Sequence, residues 1–509
     1  MAAPAPVHDP VPDIVPEAVA APRSRIVHNL VHLAGGQAAA TLAALVWLYF
    51  VPRAIGARGM GEIAIATSIT GLLGTLLNPA IGTLLTRDIA RRPERTGSLV
   101  GAGILIRFVG LLPAVAFLAV YTRVMHVGQE EAVLIWLAGA STLVASTSGI
   151  IQAAFSGLEQ MQYIAYGNAL GNALVRLAGI AIVLVGLGVV AIMQANLALT
   201  LLVLLLNVLW MRGHFRVTLR PDPGELRRVL VGSLSLWVGS VVFTTYLWID
   251  TVILSALAPV EVVGWYNTPT QIFAALLMVP GVIGAAWFPR FARAAGEGAR
   301  RLREVARPAV QLVVILSVPM SAGLAAVAPS LVWTLYGESF HGAVWVLMIL
   351  AITMVPTFFN MVCFQMLLAS DRQMAWIRVV VVATAINVVL NVALTAWFQA
   401  RFHNGAVGSA LSLLITEVME AGCAVYLLPG VLDGPLLRRL ARTVLAAGLM
   451  AGLVLITGHL TGGRLGLVAQ LVVGLLSFVP LCLLLRVPGE AEMRLVHAAW
   501  SRVRRPVAA

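Results

Sequence analysis

About fourteen apolar runs, each long enough to cross a hydrocarbon layer of about 30 Å as a helix, fill the chain with little between them. They lie at roughly 26–52, 62–85, 99–123, 132–154, 164–187, 189–211, 230–257, 265–288, 308–328, 343–369, 377–398, 405–428, 442–460 and 465–486. Backbone in lipid must satisfy its own hydrogen bonds, which leaves helices and closed barrels. The runs are continuous rather than alternating, so a β-barrel is excluded. Composition agrees: 60% of residues are hydrophobic and 11% are charged, against roughly 25% charge in a soluble domain. The sequence predicts an all-α, multi-pass integral membrane protein.

One stretch recurs. Arg25, Gly36, Gly61 and Arg87 are matched by Arg228, Gly239, Gly264 and Arg290, each pair 203 positions apart (264 − 61, for example). Both copies carry an apolar run, a glycine loop and a second run holding a proline (Pro79, Pro280) and an Ile-Gly pair (Ile81-Gly82, Ile283-Gly284). A repeat sets architecture before any helix is named. Two parallel six-helix lobes related by an axis along the membrane normal are expected, with two C-terminal spans as an appendix. The implied divisions are a disordered cytoplasmic tail (1–24), an N-lobe (25–211), a cytoplasmic linker (212–229), a C-lobe (230–428), the two extra spans (442–486) and a cytoplasmic C-terminal tail (487–509).

The net charge of +12 comes from arginine alone among the basic side chains and clusters in loops on one side. Arg87 to Arg95, Arg212 to Arg228 and Arg290 to Arg307 fall on that side; Arg53, Arg58, Arg123, Arg401 and Arg464 fall on the other. This is the positive-inside pattern, with both termini cytoplasmic, rather than a nucleic-acid face. Cys363, Cys423 and Cys482 lie within apolar runs and read as small buried hydrophobes, with no disulfide framework or metal-site spacing. No phosphate-binding loop or dinucleotide fingerprint occurs, and the loops are short. The expectation is a transporter with no cofactor and no metal, not an enzyme, drawing on an ion or substrate gradient.

Charges inside a bilayer are costly and face a cavity or a partner. Arg176, in mid-span, and Arg107, eight residues into its span, are candidate substrate-binding residues. A structural ion pair and snorkelling are the respective alternatives. Arg378, at a span start, reads as an interfacial anchor. Asp250 follows an aromatic group of Trp237, Phe243, Tyr246 and Trp248. Glu417 and Glu420, three apart, share a helix face and repel. These three acids suit proton or cation coupling; a salt bridge from the glutamates to Arg176 or Arg378 is the alternative. Asn78, Gln37 and Tyr246 join the substrate-path candidates. Asn29, Asn168, Asn172, Asn387 and Asn391 either line a path or join helices. Gly36 and Pro79, with Gly239 and Pro280 in the second copy, are expected to mark close helix approaches and kinks, hence hinges.

Gly56-Ala57-Arg58-Gly59-Met60-Gly61, Arg87-Asp88-Ile89-Ala90-Arg91, Ile249-Asp250 with Val263-Gly264-Trp265-Tyr266, and Leu335-Tyr336-Gly337 with Phe340 resemble the Wzx-type polysaccharide flippases. These form the polysaccharide-transporter branch of the multidrug/oligosaccharidyl-lipid/polysaccharide exporter superfamily, and the resemblance covers roughly residues 25–430. It implies alternating access around a central cavity in a bacterial inner membrane. The implied cargo is an undecaprenyl-diphosphate-linked oligosaccharide for surface polysaccharide such as lipopolysaccharide or exopolysaccharide. Implied partners are the lipid-linked substrate, the bilayer, and a polysaccharide polymerase with other assembly proteins. Rival readings are a lipid II flippase, a multidrug or cation antiporter, a membrane glycosyltransferase or polymerase, and an inactive scaffold.

Overall fold

The computed structural model describes residues 23–76, 81–124, 127–218 and 222–487, and among these the chain is helical without strands. The N-lobe consists of α1 (Arg23–Leu76), α2 (Ile81–Arg91), α3 (Thr96–Val124), α4 (Gln129–Gly157), α5 (Met161–Leu184) and α6 (Val189–Arg212). The C-lobe consists of α7 (Pro223–Leu257), α8 (Val260–Leu276), α9 (Met278–Gly296), α10 (Ala299–Leu335), α11 (Ala343–Ala369), α12 (Gln373–Phe402) and α13 (Gly405–Leu427). The appendix is α14 (Gly434–Leu460) and α15 (Gly463–Leu484).

Helices and apolar runs do not correspond one to one. The first two runs share α1, interrupted only at Gly56 (φ 70°, ψ −178°), a conformation that a Cβ disfavours. The second run resumes as α2, and the eighth is split into α8 and α9 at Leu277. Pro280 lies three residues beyond that break. It cannot donate to the carbonyl of Leu276, and its ring crowds that carbonyl. From α3 onward the described helices supply 12 candidate membrane crossings, and α1 carries the first two runs.

The C-lobe is built around α11. Val346, Leu350, Met354, Phe358, Val362 and Met366 recur every four residues and are fully buried, which makes this helix a central post. Smaller N-lobe cores join Ile81, Leu84 and Leu85 to Val100 and Ile150, and Ile69 and Leu73 to Leu118 and Leu134. The appendix docks on α10, where Ala326 and Val327 meet Val454 and Leu467. Asp433 caps α14 by accepting from Leu436 N at 2.9 Å and pairs with Arg307 of α10.

The lobes meet at the Gly56 end of the bundle through a reciprocal contact. A Cβ on Gly61 would collide with the carbonyl of Val260, and one on Gly264 with the carbonyl of Ala57. Gly264 is Gly61 displaced by 203 and Val260 is Ala57 displaced by the same 203 (260 − 57), so the two contacts are one contact seen twice. Val51, Ala57, Met60 and Ile192 of the N-lobe share a core there with Val332, Tyr336, Phe340 and Leu347 of the C-lobe. Arg53 Nη1 also donates to the carbonyl of Thr334 at 2.9 Å.

Gly239 was expected at a close helix approach, and the structure corrects this. It lies within unbroken α7, where a Cβ would meet nothing within 4 Å. The close approaches belong to Gly61 and Gly264, because there one lobe's backbone crosses the other's. Gly36 lies on the helical backbone of α1, and its surroundings, like the side chain of Gln37, fall outside the described residues; Asn78 and Pro79 are also outside them.

Candidate functional site: unpaired charges in two lobes

Arg107 of α3 is 5% exposed, and its Nε and Nη2 have no hydrogen-bond partner. It lines a cleft within the N-lobe with Thr70 and Gly74 of α1 and Thr142 and Ser146 of α4. Those hydroxyls carry no charge to neutralise it, and Nε and Nη2 bond none of them. Its burial also removes the snorkelling alternative. Arg176 of α5 is partly exposed, and Asn168 and Asn172 precede it at four-residue intervals, both exposed. The three form one polar stripe. Polar groups avoid hydrocarbon, so such a stripe is costly against lipid.

The C-lobe holds the opposite sign. Asp250 of α7 is buried; its Oδ1 accepts from Asn391 Nδ2 of α12 at 2.6 Å, and its Oδ2 accepts from Tyr266 Oη of α8 at 3.0 Å. Asn391 is itself oriented, accepting from Thr395 at 2.7 Å and from Ser409 of α13 at 3.0 Å. Buried Asn387 lies one turn before Asn391, and neither atom of its amide is within hydrogen-bonding geometry of a partner. The network ties four helices together at one carboxylate.

A second acidic group lies nearby. Glu417 Oε1 accepts from Tyr246 Oη at 2.5 Å, and Oε2 accepts from Asn360 Nδ2 of α11 at 2.8 Å. The same Asn360 amide donates to the Glu417 carbonyl at 2.9 Å. Glu420, a turn later and 4% exposed, has Oε1 without a partner. Tyr246, expected on the substrate path, has its hydroxyl committed to Glu417 instead.

Among the described residues no ion pair reaches Arg107, Arg176, Asp250, Glu417 or Glu420. The glutamate salt bridge to Arg176 or Arg378 is therefore not formed: Arg378 is exposed at the start of α12, and Arg176 lies on the other lobe. Arg378 Nε donates to Met374 O of its own helix. Sequence reasoning missed Tyr266 and Asn360. Asn360 is separated from Glu417 by α12 and was marked only by polarity within an apolar run; Tyr266 lies 16 positions from Asp250 on the next helix and was named with it only in the resemblance motif. No group of three or more His, Cys, Asp or Glu among the described residues is arranged to hold a metal ion.

A family model described as polysaccharide biosynthesis protein matches residues 26–295, more than half of the chain, and the MatE model matches residues 236–393. A probable flippase, AglR of Haloferax volcanii, is 22% identical over 406 residues, covering 77% of this chain and 82% of its own. Among solved structures, the lipid II flippase MurJ in an inward closed conformation aligns with a TM-score of 0.70 at 11% identity, covering 89% of this chain and 98% of its own. An inward-facing multidrug MATE transporter of the MOP superfamily aligns at 0.63 with 16% identity, covering 79% and 95%. The fold is that of these transporters, and the chain belongs to the polysaccharide biosynthesis protein family.

Proposed function

We propose that the protein is a flippase that carries undecaprenyl-diphosphate-linked oligosaccharide repeat units across the bacterial inner membrane, by alternating access, for surface polysaccharide biosynthesis. One observation carries the reading. The membrane interior holds an uncompensated guanidinium in the N-lobe and uncompensated carboxyl groups in the C-lobe, and they do not neutralise each other. A buried charge without a partner costs several kcal/mol, so each lobe retains an unmet demand for a counter-ion from outside the chain. Arg107, with Arg176 on the polar stripe, offers charge-assisted hydrogen bonds to a diphosphate or an acidic sugar. Asp250, held by Tyr266 and Asn391, suits a coupling cation. Support also comes from the flippase named among the relatives. By the positive-inside rule the Gly56 end faces outward, so the lobe contact there closes the outer side.

The test is translocation of a fluorescent undecaprenyl-diphosphate oligosaccharide in proteoliposomes, with wild type beside Arg107→Gln and Arg176→Ala. Flipping that falls at least about tenfold in Arg107→Gln supports the reading, since one lost charge-assisted contact is worth roughly 1.5–3 kcal/mol. Flipping in every variant would remove the arginines from the path. A second reading, a cation or drug antiporter, is favoured by the MatE match over the carboxyl-bearing lobe. Drug–proton exchange without lipid flipping would select it.

A further inference from the structure

We propose that Glu417 and Glu420 hold one proton between them, carried by Glu420, as a proton-binding site separate from the Asp250 network. The two side chains lie a turn apart on α13, 5% and 4% exposed. Neither meets a cation, and two buried like charges with no counter-charge do not both persist. Hydrogen bonding tells them apart. Both oxygens of Glu417 accept, from Tyr246 and from Asn360, which is the environment of an ionised carboxylate. Glu420 Oε1 has no donor at all, so nothing stabilises a negative charge on it. A second buried orphan points the same way. Asn360 is 4% exposed and its Oδ1 lacks a donor, although its Nδ2 is bonded to Glu417. Asn360, which touches Glu417, thus carries a buried acceptor in want of a donor.

A metal cation is the rival occupant, and sodium dependence separates it from the proton. The groups packed around the pair are Tyr246 and, one turn on, Asp250 from α7, and Thr357 and Asn360 from α11. From α12, Asn387 and Asn391 are turned to Asp250, as is Tyr266 from α8. None is basic. Tyr246 and Asp250 share a face of α7, so losing the proton adds a negative charge beside the Asp250 network and strengthens its hold on a cation. Proton release and cation binding are then reciprocally linked. That coupling rests on the transporter reading above; the proton itself does not.

Infrared spectroscopy of the full chain in lipid, without substrate, separates the two. At neutral pH and without sodium, wild type should show a buried carboxylic-acid carbonyl stretch that is lost in Glu420→Gln and retained in Asp250→Asn. In Glu417→Gln, which removes the neighbouring like charge, the band should titrate away at a lower pH than in wild type. Absence of the band in wild type, its survival in Glu420→Gln, or titration in Glu417→Gln at the wild-type pH or above overturns the assignment. So does its removal by sodium in Asp250→Asn, which would make the pair a cation site. A band that behaves as expected in a protein that flips no lipid would leave the proton site standing and sink only the flippase reading.

Discussion

Arg58 and Glu261 approach to 3.6 Å across the lobe boundary, and they are the same position in the two copies of the repeat, 203 residues apart (261 − 58). A two-fold contact brings a residue onto its own counterpart. Identical copies would have set two like charges together; here the copies carry opposite ones. The pair is well exposed, at 64% and 42%, and Arg58 also holds Glu62 at 3.2 Å, so solvent screening leaves it little part in stability. Its value is in marking where the pseudo-two-fold axis passes.

If this end of the bundle must part during turnover, a covalent bridge there should stop it. Arg58→Cys with Glu261→Cys is expected to form a disulfide under mild oxidant and to abolish translocation, with recovery on reduction. Full activity in the oxidised, cross-linked protein would show that this contact never opens.

The reciprocal glycines give a symmetric test. Gly61→Ala and Gly264→Ala each push a methyl group into the opposite lobe's backbone, which cannot yield as a side-chain tip does. Overpacking of this kind costs roughly 1–3 kcal/mol, or about 5- to 150-fold in a two-state equilibrium. Both variants should shift inter-lobe distances, read by paired spin labels at this end, toward the separated state and by similar amounts. Unequal shifts would argue against a shared axis.

Arg107→Met replaces an unpartnered buried cation with an apolar side chain of similar length. Such replacements are neutral or stabilising by about 1–4 kcal/mol. The thermal midpoint should therefore hold or rise while flipping is lost, the pattern of a group kept for function. A lowered midpoint would give the guanidinium a structural role instead.

Tyr266→Phe removes one of two donors to Asp250 and leaves Asn391 in place. A hydrogen bond to a charged group is worth roughly 1.5–3 kcal/mol, so the network should weaken without collapsing. The expected outcome is an altered cation dependence of transport with little change in substrate KM. A change confined to KM would move Asp250 from the ion to the substrate.

Asp433→Ala removes both the α14 cap and the pair with Arg307, an expected loss of about 0.5–2 kcal/mol local to the appendix. Hydrogen exchange should rise at the start of α14 while the lobes stay protected. Exchange spreading into α11 would mean that the appendix supports the C-lobe core.

Several site features were legible early and others were not. Asp250, Glu417 and Glu420 stand out because acids are rare in apolar runs. Which partners they find could not be read, since Asp250 and Asn391 are 141 positions apart and Tyr246 and Glu417 are 171 apart. Gly239 illustrates the reverse case. It matched a landmark by spacing, yet it faces open space, because a repeat reproduces sequence positions without guaranteeing that both copies are packed alike. Pro280 was readable, since a missing N–H is a local property, and the break at Leu277 lies one turn before it.

The sequence by itself determined that the chain spans a membrane as helices, that it is built of two lobes, and that one helix breaks near Pro280. These follow from run length, hydrogen-bond accounting in lipid and spacing, all of them local or additive along the chain. Only the tertiary structure decided that the arginines and carboxyl groups stay apart in separate lobes, that Tyr246 serves Glu417, and that Gly61 meets Val260 while Gly264 meets Ala57. Those outcomes depend on how far each helix is rotated and raised against neighbours distant in sequence. Rotation and height are set by the packing of whole faces, and no single stretch of residues encodes them.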